Sequence, residues 1–136
     1  MKKLLLAAAL ALAALAHAQV SEPRLNLAFS QLKANGVTTF ADTIYGIGSE
    51  NSHLLASQLA PLLKDAGDYF GYQYIQRTNL AKRVDRLIVV IYFDQYPVYL
   101  RLDTYDTPSG RIYLPANVSR DPGAVLPFDI ISAAGK

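Results

Sequence analysis

Tyrosine, arginine and aspartate are spaced along one stretch of this chain as they would be on a recognition surface. Tyr99, Arg101, Asp103 and Tyr105 recur at every second position, the period that sends side chains to one face of a β-strand. Tyr72 and Tyr74 repeat the spacing upstream with Phe70, and Arg111 does so downstream with Tyr113. Rings supply apolar contact area, while hydroxyls and a guanidinium fix orientation. Such a face suits a small apolar ligand or a protein partner. Tyr and Arg are also enriched where subunits meet. If the two downstream runs are paired strands, their polar-aromatic faces adjoin. A structural reading competes: cross-strand Tyr pairs, with Asp103 in an ion pair with Arg101 or Arg111, simply stabilise a solvated face.

Acid–base chemistry would need one of Asp85, Asp94, Asp103 or Asp106 buried beside a Tyr donor. Asp103 is the best placed, between Tyr99, Arg101 and Tyr105, although an adjacent Arg weakens it as a base. Catalysis of other kinds has little to work with. There is no Cys, and His53 is the only His after His17. The usual zinc and copper ligand sets are therefore missing, and a Ser–His–Asp triad would have to use His53 without supporting context. Gly46-Ile47-Gly48 leads into Ser49 as a turn and not as a dinucleotide fingerprint. No cofactor is expected. Arg77, Lys82, Arg83 and Arg86 form a small basic cluster that reads as a hairpin tip. Asn117-Val118-Ser119 matches a glycosylation sequon, a tripeptide that arises often by chance.

The elements that would hold these residues fall in two blocks. Ser21-Glu22-Pro23 opens a helix, with Leu25, Phe29 and Leu32 on one face and Asn35-Gly36 as its stop. Residues 38–45 are ambiguous: Phe40 and Ile44 suit a short helix, and Thr38-Thr39 weakens it. Ser49 or Ser52 caps a Leu-rich helix that Pro61 should kink or restart and Ala66-Gly67 ends. After Asp68 aromatic and β-branched residues dominate, which favours strands over 69–78, 84–94, 96–105 and 111–118. The second is apolar on both faces and so central. Thr107-Pro108-Ser109-Gly110 has the type I turn pattern, and Asp121-Pro122-Gly123 is another turn. Helices followed by turn-linked strands give an α+β fold with an antiparallel meander. The helices cover one face, and the other is wet, lines a groove or meets another subunit.

The first residues read as an export signal. Lys2 and Lys3 precede an apolar run from Leu4 to Leu15, and Ala16-His17-Ala18 fits a cleavage site before Gln19. The run is shorter than the roughly twenty residues of a membrane span. We therefore read residues 1–18 as a signal peptide, 19–120 as a single α+β domain and 121–136 as a C-terminal tail. The expected location is periplasmic or secreted, with no membrane span after cleavage. The formal net charge is +2 for all 136 residues, and Lys2 and Lys3 supply all of it. A neutral domain is not a nucleic-acid binder driven by bulk charge.

The order of pieces resembles a known type. Phe29-x-x-Leu32-x-x-x-Gly36, the Leu-rich helix ending at Gly67, Gly71-Tyr72-Gln73-Tyr74-Ile75, the apolar strand 87–93, and Tyr96-Pro97 leading into 99–105 are similar to small exported domains of the nuclear transport factor 2-like, SnoaL-like and ketosteroid isomerase-like superfamily. That resemblance implies a curved sheet folded round a pocket capped by N-terminal helices, with dimerisation through the sheet in many members. It includes enzymes and non-catalytic binding modules. Three functions follow as expectations. The first is a non-enzymatic binding domain that takes a small apolar ligand or an envelope protein through Tyr72, Tyr74, Tyr99, Arg101 and Tyr105. The second is an isomerase- or dehydratase-like enzyme using Asp103 or Asp94 with a Tyr donor. The third is a homodimeric accessory protein of the envelope.

Overall fold

A computed structural model describes residues 22–126. The expected signal peptide at 1–18, and residues 127–136 of the expected tail at 121–136, lie outside those residues. Two helices precede the strands: α1, Pro23–Tyr45, and α2, Glu50–Leu63. The strands are β1, Tyr69–Ala81, β2, Val84–Phe93, β3, Val98–Thr107, β4, Gly110–Tyr113, and β5, Asn117–Ser119. The fold is α+β, with N-terminal helices packed on a mainly four-stranded antiparallel sheet.

The helix stop at Asn35-Gly36 becomes a break inside α1 and not an end. Gly36 takes φ 81° and ψ −175°, open to glycine and strained for other residues. Helix resumes after it, so residues 38–45 are helical. Leu25, Phe29 and Leu32 lie before the break and Phe40 and Ile44 after it, and all five are buried. Each such side chain contributes about 2 kcal/mol by leaving water. The break lets both halves lay their apolar stripes on the same core. Ser49 caps α2 by accepting the Ser52 amide at 3.1 Å. Pro61 is held within α2 close to its end, where it neither restarts nor splits the helix.

The sheet order is β1-β2-β3-β4, with β5 also paired to β3. The single strand expected over 111–118 is two, separated by Leu114, Pro115 and Ala116. Pro115 has no amide to donate and cannot continue the ladder. β4 therefore pairs with residues 104–107 of β3, and β5 with 99–101. The core lies between the helices and one sheet face, built from Leu87, Val89 and Ile91 of β2 and Leu100 and Leu102 of β3. Their neighbours Ile88 and Val90 are buried too, at 1% and 7% exposure, but point to the opposite face. This confirms β2 as central. Past Ser119, a 3-10 turn at Pro122–Ala124 leads to the buried Val125, so ordered packing runs beyond residue 120.

Candidate functional site

Register decides which of the expected contact residues meet. β1 pairs Tyr72 with Ile91 and Tyr74 with Val89, and these β2 partners belong to the helix-side core. Tyr72 and Tyr74 therefore face the helices. β2 pairs Val90 with Tyr99 and Ile88 with Arg101, so Tyr99, Arg101, Asp103 and Tyr105 face away from them. The five residues do not form one surface. Phe70 also departs from Tyr72: the register slips by one residue between Tyr69 and Gly71, turning Phe70 to the outer face. There its ring stacks on Tyr92 at 5.8 Å.

The β3–β4 hairpin corrects a second expectation. Thr104 pairs with Tyr113 and Asp106 with Arg111. Thr104 is buried and Tyr113 joins the helix-side core. Arg111 and Tyr113 thus lie across the sheet from Tyr99 and Arg101. Asp103 is bonded neither by Arg101 nor by Arg111. Arg86, directly opposite it on β2, donates through Nε and a terminal nitrogen at 2.8 and 2.9 Å. A directly opposed pair is closer than two residues on one strand separated by a full pleat. That two-pronged bond raises the Arg86 pKa despite opposing burial. The same bond occupies Asp103 as an ion-pair acceptor. Asp94 sits at the helix–sheet junction, where its carboxylate accepts the Asp68 amide at 3.2 Å.

The helix side holds a polar cluster at the start of α1. Asn26 Oδ1 accepts both the Tyr72 and Tyr74 hydroxyls, at 2.9 and 2.8 Å. Phe29 stacks on Tyr72 with centroids 4.1 Å apart. Glu22 is 1% exposed and accepts the Tyr113 hydroxyl at 2.5 Å. Arg111 reaches the other Glu22 oxygen at 2.8 Å, and also Asp106 at 2.9 Å and Asp85 at 3.4 Å. Burial works against the Arg111 cation, but Glu22, Asp106 and Asp85 together raise its pKa. Burial also raises Tyr113, reinforced by Glu22. Tyr74 rises for the same first reason, with Tyr72, Glu22 and Tyr113 adding to it. Asp85 moves the other way, to about 2, held by hydrogen bonds from Asn79 and Arg77.

Glu22 reads in the sequence as a complement to the helix dipole, and its burial is not signalled there. Its Tyr113 partner lies 91 positions away, and no local period encodes such a contact. Asn26 has no signal either, since it lies off the apolar stripe of α1. Beside this cluster, a cleft of about 230 Å³ is lined by Arg24, Ile44, Tyr45, Ile112 and Tyr113 with the first residues of α2. A second cleft of about 230 Å³ lies at the α1 break, against Leu32, Val37, Leu63 and Phe93. Neither contains Tyr99, Arg101 or Tyr105. Among the described residues, no group of three or more His, Cys, Asp or Glu side chains could hold a metal, and no helix is long and apolar enough to cross a membrane.

Comparison with protein-family models, with curated proteins and with solved structures finds no match to this chain.

Proposed function

We propose that this is an exported, non-enzymatic binding domain whose contact surface is the sheet face opposite the helices. The carrying observation is that Tyr99, Arg101 and Tyr105 share that face with Tyr92 and Phe70. Tyr105 and Phe70 are 39% and 66% exposed. Arg101 sits centrally, across from Ile88 and beside Asn117 of β5. A field of rings and apolar side chains with the Arg101 guanidinium, beside the Arg86–Asp103 ion pair, is the composition of a protein-binding surface. Tyr72 and Tyr74 are read differently: bonded to Asn26 under α1, they tie the first helix to the edge strand and keep the outer face in shape.

The two clefts described above, formed by the described residues, lie on the helix side, which favours a protein partner in the cell envelope over a small ligand for this face. The helix layer over an antiparallel sheet is compatible with the cone of the nuclear transport factor 2-like superfamily, and membership is part of the proposal. So is removal of residues 1–18 on export. The acid–base alternative gains nothing from Asp103 or Asp94, each engaged as described.

Site-specific photo-crosslinking in the native cell tests the proposal. A photoreactive side chain at position 99 or 105 should give a discrete adduct that Arg101→Ala reduces at least fivefold. The same group at position 54, on α2, should give none. Adducts from position 54 alone would overturn the proposal.

A further inference from the structure

The edge strand carries a pattern that the core does not use and the outer-face site touches only at Phe70. β1 is 13 residues long, and among the described residues it has a neighbour on one side only, β2. Its register against β2 slips three times: between Tyr69 and Gly71, between Tyr74 and Gln76, and between Asn79 and Ala81. The residues left without a partner are Phe70, Ile75 and Leu80. These same three are the exposed large apolar side chains of the strand, at 66%, 38% and 47% exposure. Each irregularity thus re-aims one apolar side chain, and the three recur at intervals of five residues. A bulge bends its strand and redirects a side chain. An apolar residue at every one of them is the reverse of the charges and prolines that usually guard an edge.

We propose that this row is the contact surface for a second copy of the chain. Its spacing is symmetric about Ile75. Two copies of β1 laid antiparallel about a two-fold axis at Ile75 bring Ile75 against Ile75 of the second copy. The same axis sets Phe70 against Leu80 of the second copy. The contact is isologous and closes on itself, so it uses up both edges. Charge permits it: Arg77 is the single charged residue of β1, and in this alignment it meets Gln73 of the second copy, not another cation. The slips cut the outward amides into short runs. The contact is therefore made by side chains more than by a continuous ladder, and does not propagate as a growing sheet. Three residues a side is less than a standard interface of about 1,600 Å², so a reversible, concentration-dependent association is expected. This row shares Phe70 with the outer-face site, while Ile75 and Leu80 belong to the row alone, so variants at Ile75 test it independently and either surface can fail without the other.

Sedimentation equilibrium of the exported protein from about 1 to 200 µM reads the association directly. The average mass should rise from one chain toward two. Ile75→Asp, which puts two carboxylates on the axis, should weaken association at least tenfold. F70K and L80E should each weaken it, and the double variant F70K/L80E, with opposite charges across the contact, should recover to within threefold of the parent. All three positions lie on the surface, so at about 1 µM, where the parent too is a single chain, the variants should keep the parent's far-ultraviolet circular dichroism. The chain has no Cys, so Ile75→Cys should oxidise to a covalent dimer much faster than Leu54→Cys on α2. A protein that stays monomeric throughout, a dimer indifferent to Ile75→Asp, or a double variant no tighter than the singles would each overturn the proposal.

Discussion

Arg111 is the residue on which most of the helix-side chemistry converges. It joins the start of α1 through Glu22, β2 through Asp85 and its own hairpin through Asp106. A carboxylate as buried as Glu22 is tolerated because both its oxygens are engaged. Breaking such a pair by removing one partner costs about 3–5 kcal/mol. Asp85 gives this cluster a pH signature. Its folded pKa is about 2, below the roughly 3.9 of an unfolded Asp. A depressed carboxylate contributes stability that is complete above the unfolded value and is lost as pH falls through the folded one. Urea unfolding of the parent should therefore lose stability between about pH 4 and pH 2. Asp85→Asn should be less stable at neutral pH and flatter across that window. A parallel pH profile for the two proteins would remove Asp85 from this role.

The elements show which signals in the chain are local. The apolar stripe of α1, the Ser49 cap, the central β2 and the hairpin at Pro108 are written in neighbouring residues, and each forms where its pattern indicates. What spacing did not show is register. The slip between Tyr69 and Gly71 turns Phe70 away from Tyr72, and the β1–β2 and β2–β3 registers set Tyr72 and Tyr99 on opposite faces although both belong to strands with alternating patterns. A one-residue slip reverses every later side chain, and no count of intervals within a single strand detects it. Gly67 shows the same dependence on distant packing. It ends the helix block at φ 78°, and a Cβ placed there would lie 2.8 Å from the Cβ of Asp94. Gly67→Ala meets both backbone strain and a clash, and should cost about 2–3 kcal/mol, read from the midpoint of chemical unfolding. A change below about 0.5 kcal/mol would mean that the junction yields freely.

At the scale of the whole molecule, the sheet has two unlike faces. One is closed by α1 and α2 over an apolar core with a buried ionic cluster at its end. The other presents Tyr99, Arg101 and Tyr105 on a scaffold that the first face makes rigid. Composition pointed to the tyrosines, but only pairing between strands sorts them into those that face the helices and those on the outer face, which we propose for recognition. Hydroxyl-radical footprinting tests that division most directly, comparing the purified protein with the protein in intact cells. Tyr99 and Tyr105 should be labelled in the purified protein and protected severalfold in cells, while Tyr72 and Tyr74 change little. Equal labelling of Tyr99 and Tyr105 in both settings, or protection confined to the helix side, would contradict the outer face as the functional surface.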